Sequence, residues 1–377
     1  MSKVIETQEI NKTYKMGSEI IEALKSVSIS VNKGEYVAFM GPSGSGKSTL
    51  MNIIGCLDSP TSGSYVLAGK DVSDMSENEL ADIRNKEIGF VFQTFNLLPR
   101  ATCLDNVALP LVYAGYSKSE REEIAFKALD NVGLGDRTTH RPNELSGGQR
   151  QRIGIARALA VDPELIICDE PISALDVSIQ AQVVNMLEDF QKDRGLTYLF
   201  IAHDLSMVKH ISDRIGVMYL GHMMEIALSS DLYEHPLHPY TKALLSSIPI
   251  PDPDNTNKGN RIILKGDVPS PINPKPGCRF VKRCRYAFDR IENNNVATYK
   301  KELIGRHVFK IVKNREGIVV FNQEDEITIE NVELIIELGM KSFDVIKEKC
   351  FTVTPLLEEV RKDHFTACHY INDINVE

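Results

Sequence analysis

Apolar residues in the first 240 positions form short uninterrupted runs that alternate with stretches of helical periodicity. Four uninterrupted runs predict buried strands: Tyr36–Met40, Ile88–Phe92, Leu165–Cys168 and Leu199–Ala202. Three stretches with apolar residues at helical spacing predict helices: Ser48–Ile54, Asn96 to about Asp136, and Arg152–Leu159. Strands that alternate with helices predict an α/β fold with a parallel sheet. From Val4 to about Val37 the apolar runs are shorter and broken by polar residues and glycines, which predicts an antiparallel β layer.

A glycine-rich segment joins the first buried strand to the first predicted helix. Its residues are Gly41, Pro42, Ser43, Gly44, Ser45, Gly46, Lys47, Ser48 and Thr49. They fit the phosphate-binding pattern G-x-x-x-x-G-K-[ST] in the strand–loop–helix context that the pattern requires. Glycines let the backbone approach a ligand closely, and the N–H groups of the loop and helix start attract an anion. Lys47 adds a mobile cation and Ser48 a hydroxyl suited to magnesium, so the sequence predicts a nucleotide-phosphate site.

Polar side chains stand at the ends of the other predicted strands. Gln93 follows one strand, Asp169 and Glu170 end another, and His203 follows the last. Asp169 is placed to hold magnesium and Glu170 to polarise an attacking water. Each residue also has a structural interpretation, as a loop amide, a strand cap or a packed histidine. Because strand ends of a parallel sheet converge on one ligand, the functional interpretation is favoured for His203.

Two further segments have the composition of nucleotide contacts. Ser146, Gly147, Gly148 and Gln149 open the third predicted helix, which makes a second anion-facing helix start. Two such loops in one chain indicate that each serves a different copy of the site. Tyr14 is a strand aromatic that could stack on a purine, although such a tyrosine more often packs at an edge.

Size and charge limit the classes of partner. The chain has 377 residues, enough for two domains, with a net charge of −9 and a pI near 5.6. This acidic balance disfavours nucleic acid, which needs a basic face. No apolar run approaches the length of a membrane span, and the N-terminus lacks a signal-peptide core. We therefore expect the protein to stay in the cytosol, where any association with the membrane must come through a partner.

Four of the seven cysteines lie in the last part of the chain: Cys278, Cys284, Cys350 and Cys368. In a cytosolic protein such a group indicates metal binding more than disulfides. Four thiolates suit either a [4Fe–4S] cluster or tetrahedral zinc. The C-x-x-C spacing of compact metal sites is missing, so four unrelated thiols stay an alternative.

With these residues assembled, the first 240 residues resemble the ATPase subunits of ABC transporters. By this resemblance, residues 41–49 are the Walker A loop, Tyr14 stacks on adenine, and Gln93 is the Q-loop glutamine. Residues 145–149 are the signature motif and residues 174–176 lie in the D-loop. Asp169 and Glu170 are the Walker B acids and His203 is the switch histidine. The resemblance thus implies ATP and Mg²⁺ as ligands, with Ser48, Gln93 and Asp169 at the metal and Glu170, His203 and Gln93 in catalysis.

The resemblance differs between the two parts of the chain. Segments 41–46, 52–58 and 89–99 resemble the lipoprotein-releasing and macrolide-export ATPases. Segments 168–182, 198–205, 235–245 and 277–280 resemble the oligopeptide and dipeptide importer ATPases, in which four C-terminal cysteines are associated with an iron–sulfur cluster. Peptide import is the favoured function, because only that family explains the C-terminal region. Lipoprotein release or drug efflux is one alternative, and a soluble ABC ATPase that is not coupled to transport is another.

The expected architecture is a P-loop NTPase domain over residues 1–240, with an antiparallel β subdomain and a helical subdomain. A smaller domain follows over residues 241–377, with an apparent insertion at about 291–347 whose runs 308–312 and 317–321 are strand-like. The resemblance also implies a second ABC ATPase subunit, identical or related, paired head to tail, and separate membrane permease subunits. A substrate-binding protein would belong to the same assembly.

Overall fold

The computed structural model of the chain describes residues 2–202, 205–248, 261–292, 303–308, 312–313, 319–322, 325–328 and 342–371. Two compact units make up the chain, Met1–Tyr233 and Glu234–Glu377.

The first unit begins with an antiparallel sheet in the order β2-β1-β4-β5. Its strands are β1 (Lys3–Met16), β2 (Glu19–Asn32), β4 (Ser62–Leu67) and β5 (Lys70–Asp71). Ile5 pairs with Val31 on one side and Leu67 on the other, and all three side chains are fully buried. The predicted antiparallel β layer is therefore confirmed.

A second sheet forms the centre of the first unit, with its strands in the order β10-β9-β3-β8-β7-β6. The strands are β3 (Tyr36–Met40), β6 (Ile88–Phe92), β7 (Leu165–Asp169), β8 (Thr197–Ile201), β9 (Arg214–Tyr219) and β10 (His222–Leu228). All neighbours are parallel except β9 and β10. The four predicted buried strands are present, because their continuous apolar runs bury both faces.

Helices cover this central sheet: α1 (Lys47–Ile54), α2 (Glu77–Glu87), α5 (Gly147–Leu159), α6 (Val177–Arg194), α7 (Leu205–Ile211) and α8 (Ser229–Glu234). Polar side chains fix several of their starts. Ser76 forms a capping box with Glu79 ahead of α2. At its other end α6 stops at Gly195, whose φ of 66° is the left-handed conformation typical of a helix end.

Helices α3 (Cys103–Tyr113) and α4 (Lys118–Asn131) pack against α5 and form the helical subdomain. The prediction of helix from Asn96 onward was wrong for residues 96–102, which form a loop. Phe95 and Asn96 both have positive φ, 63° and 48°, which a right-handed helix cannot contain. The helix starts only after Thr102, whose side chain forms a capping box with Asp105.

The second unit contains the following elements: α9 (Pro239–Leu245), a 3-10 helix (Val281–Arg283), β11 (Phe288–Glu292), β12 (Val312–Lys313), β13 (Val319–Phe321), β14 (Ser342–Ile346), α10 (Glu348–Thr352), β15 (Glu358–Arg361) and β16 (His364–Thr366). Its strands pair antiparallel, β11 with β14, β12 with β13 and β15 with β16.

The β11–β14 pair closes the segment that the sequence marks as an insertion. Phe288 pairs with Ile346 and Glu292 with Ser342, so the chain leaves and returns at neighbouring positions. Among the described residues of the segment, Val308 bridges to Val345, and both side chains are fully buried. Strand β13 falls in the predicted run 317–321, whereas residues 309–311 and 314–318 lie outside the described residues.

Candidate nucleotide site

The carboxyl ends of the parallel strands place the predicted residues along one edge of the central sheet. In register, Phe92 of β6 pairs with Asp169 of β7, and Asp169 pairs with Ile201 of β8. Strand β3 lies between β8 and β9, so the glycine loop leaves the sheet at the same edge. This is the edge at which open parallel sheets bind their ligands.

The glycine loop has the backbone that the sequence predicts. Gly41, Gly44 and Gly46 have φ values of 151°, 76° and 99°. A Cβ atom on Gly41 would lie 2.3 Å from the carbonyl oxygen of Met218, and one on Gly46 would lie 2.6 Å from that of Ala23. Only glycine fits at these two positions, because the loop packs backbone against backbone.

Lys47 is the first residue of α1 and lies folded over the loop. Its Nζ atom donates to the carbonyl oxygens of Gly41 at 2.7 Å and Pro42 at 3.0 Å. Burial lowers the pKa of Lys47, and the nearby carboxylates of Glu170 and Asp169 partly offset that shift. The ammonium group, the two acids and the loop therefore form one electrostatic cluster.

Asp169 and Glu170 are a like-charged pair at the end of β7. Burial raises the pKa of Asp169, the neighbouring Glu170 raises it further, and Lys47 acts in the opposite direction. Glu170 has a φ of 46°, and its N–H donates to the carbonyl oxygen of Ile201 at 3.1 Å. This left-handed backbone is uncommon for a residue other than glycine, and it turns the chain away from the strand direction directly after Asp169.

Gln93 and His203 are the other two predicted catalytic residues. Gln93 directly follows β6, next to the end of β7, and its side chain is exposed. Strand β8 ends at Ile201, and His203 lies outside the described residues. The role of each residue stays a prediction.

Tyr14 belongs to a hydrogen-bonded group that the sequence did not reveal. Its hydroxyl donates to Oδ2 of Asp58 at 2.9 Å, and Nζ of Lys12 donates to Oδ1 of the same carboxylate at 2.6 Å. The Lys12 ammonium also lies 5.1 Å from the centre of the Tyr14 ring. The carboxylate and the ammonium thus fix the ring of Tyr14, which is 38% exposed.

The predicted signature residues form the start of α5. Ser146 and Gln149 make a capping box, in which the N–H of Gln149 donates to Oγ of Ser146 at 3.3 Å. The N–H of Ser146 donates to the Gln149 side chain at 3.0 Å. Gly148 lies against Ile179 of α6, where a Cβ atom would come within 2.6 Å of Cγ2. Gly147 completes the segment as the first residue of the helix.

The four C-terminal cysteines come into one neighbourhood of the second unit. The N–H of Cys278 donates to the carbonyl oxygen of Cys350 at 2.8 Å. Cys284 interacts electrostatically with Cys278, Cys368 and Cys350, and burial raises its pKa. Burial also raises the pKa of Cys278, to about 12.

That the four cysteines bind a metal centre stays a prediction. No group of three or more His, Cys, Asp or Glu side chains in the described part of the chain is arranged to hold a metal.

Comparison with known proteins agrees with this geometry. The ABC transporter family profile matches residues 24–173, and the profile of the oligopeptide/dipeptide transporter C-terminal region matches residues 224–290. A putative oligopeptide transport ATP-binding protein of Bacillus subtilis, YkfD, is 45% identical over 324 residues, which cover 84% of this chain and 98% of the relative. The chain belongs to the ATP-binding subunits of ABC transporters.

Other relatives of this ABC ATPase extend the comparison. Oligopeptide transport ATP-binding protein OppF of Salmonella typhimurium is 47% identical over 273 residues, which cover 71% of this chain and 81% of that protein. A dimeric, post-hydrolysis structure of the ATP-binding cassette MJ0796, bound to ADP and Pi, is 41% identical with a TM-score of 0.56. The match covers 60% of this chain and 98% of the MJ0796 chain.

The ABC ATPase uses ATP and Mg²⁺, and the residues at the sheet edge fit both. The backbone loop, the helix start and Lys47 suit the phosphates, and the Asp169 carboxylate suits a hard cation. When bound, Mg²⁺ would offset the negative charge of the phosphates. None of the described helices combines the length and apolar character needed to cross a membrane.

Three residues near this site were missed by the sequence interpretation. Asp58 and Lys12 orient Tyr14, and Arg157 of α5 donates to backbone carbonyls of the loop after Gln93. Lys12 and Asp58 are 46 residues apart, and Arg157 is 61 residues from Asn96. No local pattern connects residues at such separations.

Proposed function

We propose that this ABC ATPase hydrolyses ATP to drive the import of oligopeptides or dipeptides. The ATPase half rests on one observation above all, the acid pair Asp169–Glu170 beside Lys47 of the phosphate-binding loop. The import half rests on the C-terminal match and on relatives that are named for oligopeptide transport.

The proposed catalytic roles follow from the position of each residue. The glycine loop and Lys47 bind and orient the phosphates, and Asp169 with Ser48 and Gln93 holds the metal. Glu170 accepts the proton of the attacking water, because its carboxylate leaves the strand next to the metal-binding acid. His203, two residues after the end of β8 in the sequence, is proposed to act as the switch histidine, and Tyr14 to position the base.

We also propose a head-to-tail pair of ATPase subunits. The capping box uses the N–H of Gln149, and the N–H groups of Gly147 and Gly148 at the start of α5 are the ones that could donate to an anion. In the pair, this helix start faces the nucleotide held by the loop of the other subunit. The dimeric structure of MJ0796 supports such pairing.

A groove in the first unit is the proposed contact for a permease. It has a volume of about 630 Å³ and is lined in part by Arg84, Phe90, Asn96, Tyr113 and Arg157. Phe92 and Asn96, on either side of Gln93 in the chain, line the groove, so a permease segment bound there would lie beside the loop that carries Gln93. The protein would thereby lie at the membrane as a peripheral subunit.

Isolation of the intact complex tests the transport proposal. The full-length protein is affinity-purified from membranes, and its membrane subunits and any substrate-binding protein are identified by mass spectrometry. The complex is then placed in vesicles that present ATP on the side of this subunit. We expect ATP-dependent uptake of a labelled peptide, and none with Glu170→Gln. ATP-dependent release of lipoprotein or efflux of drugs by the same complex would contradict import.

The four C-terminal cysteines carry a separate proposal, that they bind a metal centre, most naturally a [4Fe–4S] cluster. The donor set fits, since four cysteines share one neighbourhood of the second unit. Binding would require the sulfurs to close around a common point as thiolates. The backbone hydrogen bond from the N–H of Cys278 to the carbonyl oxygen of Cys350 keeps two of the four cysteines adjacent.

Anaerobic purification tests the metal proposal. We expect brown protein with iron and acid-labile sulfide in equal amounts, and colourless protein from the Cys350→Ser variant. Cys103→Ser is the matched control, because Cys103 is a buried thiol of the helical subdomain. Stoichiometric zinc in colourless protein would show that the cysteines bind zinc and not an iron–sulfur cluster. Protein with neither metal would contradict the proposal.

A further inference from the structure

The loop that carries Gln93 is held in an unusual backbone conformation. Two successive non-glycine residues, Phe95 and Asn96, have φ values of 63° and 48°. Such residues persist only where surrounding contacts hold them. Within the loop, the N–H of Asn96 donates to the Thr94 carbonyl oxygen at 2.7 Å, the N–H of Phe95 donates to the Phe92 carbonyl oxygen at 3.3 Å, and the Thr94 hydroxyl donates to Oδ1 of Asn96 at 2.9 Å.

Arg157 supplies the contact that holds these two residues. Its guanidinium donates from Nη1 to the carbonyl oxygen of Asn96 at 2.7 Å and from Nη2 to that of Phe95 at 3.0 Å. Burial lowers the pKa of Arg157, so the charge is costly to leave without acceptors. A planar guanidinium can bind two adjacent carbonyls at once, which a lysine ammonium cannot do with the same geometry.

Other contacts of the loop lead to the helical subdomain. The guanidinium of Arg150, also in α5, lies 5.0 Å from the centre of the Phe95 ring. Further along, the fully buried Asn106 of α3 accepts from the N–H of Leu98 at 2.7 Å and donates to the Leu98 carbonyl at 3.2 Å. The loop is thus fastened to α5 at its start and to α3 at its end.

Helix α5 connects this fastening to the signature residues. Ser146 caps the start of the helix, and Arg157 lies in its last turn. Eleven residues of α-helix separate them by about 16 Å of rigid structure. A displacement of the Gln93 loop is therefore carried to the signature end of the same helix.

We propose that Arg157 is a positioning residue, which fixes the Gln93 loop to the signature helix so that Gln93 and Ser146 move as one body. The proposal builds on the ATPase function, in which both loops contact nucleotide. Arg157 itself touches only the backbone of the loop, so its effect on hydrolysis passes through Gln93.

Hydrogen exchange on the full chain tests the fastening directly. In Arg157→Lys, we expect the amides of residues 95–98 to exchange about tenfold faster, equal to about 1.4 kcal/mol of lost protection. The amides in the middle of α5 should keep their wild-type exchange. Arg121→Lys is the control, since Arg121 also donates to a carbonyl, that of Tyr116, but does not contact the loop. Unchanged exchange at 95–98, or loss of protection throughout α5, would overturn the proposal.

Steady-state kinetics test the consequence for hydrolysis. We expect Arg157→Lys to lower kcat about tenfold and to raise the Mg²⁺ concentration for half-maximal rate, with little change in KM for ATP. In a Gln93→Ala background the same substitution should cost almost nothing more, because its effect passes through Gln93. If the fold-decrease in kcat of the double variant equalled the product of the decreases in the two single variants, the positioning role would be contradicted.

The two experiments separate this inference from the proposed function. Hydrogen exchange requires no catalytic turnover. If the wild-type protein did not hydrolyse ATP, the ATPase proposal would be wrong. Faster amide exchange at residues 95–98 in Arg157→Lys would still show that Arg157 holds the loop. If the enzyme hydrolysed ATP but amide exchange at residues 95–98 did not change in Arg157→Lys, only the positioning role of Arg157 would be wrong.

Discussion

At the scale of single residues, the site depends on how charges are placed against one another. Asp169 and Glu170 are adjacent carboxylates, and burial with mutual repulsion raises the pKa of Asp169. Lys47 offsets part of that repulsion. In the proposed mechanism, one of these two carboxylates serves the metal and the other accepts a proton.

Glu170→Gln should slow hydrolysis by about 10²–10⁴-fold and leave ATP binding intact. The amide can still hold a water molecule but cannot accept its proton. Single-turnover hydrolysis and calorimetric ATP binding measure the two effects, and Glu164→Gln serves as a control because Glu164 pairs with Lys33 away from this edge of the sheet. Near-normal turnover would remove Glu170 from the catalytic role.

Asp58→Ala should raise KM for ATP about fivefold, a cost of about 1 kcal/mol, with kcat unchanged. The carboxylate holds the hydroxyl of Tyr14, and a loosely held ring stacks less well on a base. Steady-state kinetics measure both constants. Tyr14→Phe should act in the same direction, since it removes the same hydrogen bond, and the double variant should be no worse than either single one.

Asp71→Ala is the control for that prediction, because Asp71, in the exposed strand β5, accepts comparable hydrogen bonds from Ser73. A fall in kcat at saturating ATP, with KM unchanged, would show that Asp58 acts on the chemical step and not on the base.

At the scale of elements, the sequence predicts what is buried and repetitive better than what depends on distant contacts. Strands β3 and β6 were predicted with their observed ends, because their apolar runs are bounded by turn residues. The glycine loop was also predicted, since its function requires a fixed local spacing. The loop after Gln93 was not, because Arg157, which holds it, is 61 residues from Asn96.

The β11–β14 pair predicts the result of removing the inserted segment. Replacing residues 293–341 with Asn-Gly should keep the fold, because Glu292 and Ser342 are paired and a two-residue turn can join them. The change uncovers the fully buried Val345, which should lower the free energy of unfolding of the second unit by about 1–3 kcal/mol.

Chemical denaturation and ATPase rates measure this outcome. The rates should match wild type, because every residue proposed for the nucleotide site lies outside the inserted segment. A variant that fails to fold would show that the second unit requires the inserted segment in order to fold.

At the scale of the whole molecule, the chain holds two loops that we propose to contact nucleotide. One chain holds both a phosphate-binding loop and the signature loop at the start of α5. The sequence could predict both, because each is a local pattern. It could not predict the partner, because pairing depends on surfaces that no short motif encodes.

Ser146→Arg should leave ATP binding to the isolated chain within about twofold of wild type and lower hydrolysis by about 100-fold or more. Arginine would fill the space that the partner's phosphates require. Mixing this variant with Lys47→Ala gives a direct test. In a head-to-tail pair of this chain with itself, the mixed dimer retains one intact site, so hydrolysis should return. Two inactive variants that stay inactive after mixing would contradict such pairing.

The groove beside Arg157 has a consequence for inhibitor design. It is about 630 Å³ in volume, a size suited to a drug-like compound, and Asn96 and Arg157 form part of its wall. A compound bound there would press on the Gln93 loop while leaving the phosphate-binding loop free. Inhibition would then be noncompetitive with ATP, and selectivity would come from side chains such as Tyr113 that take no part in binding nucleotide.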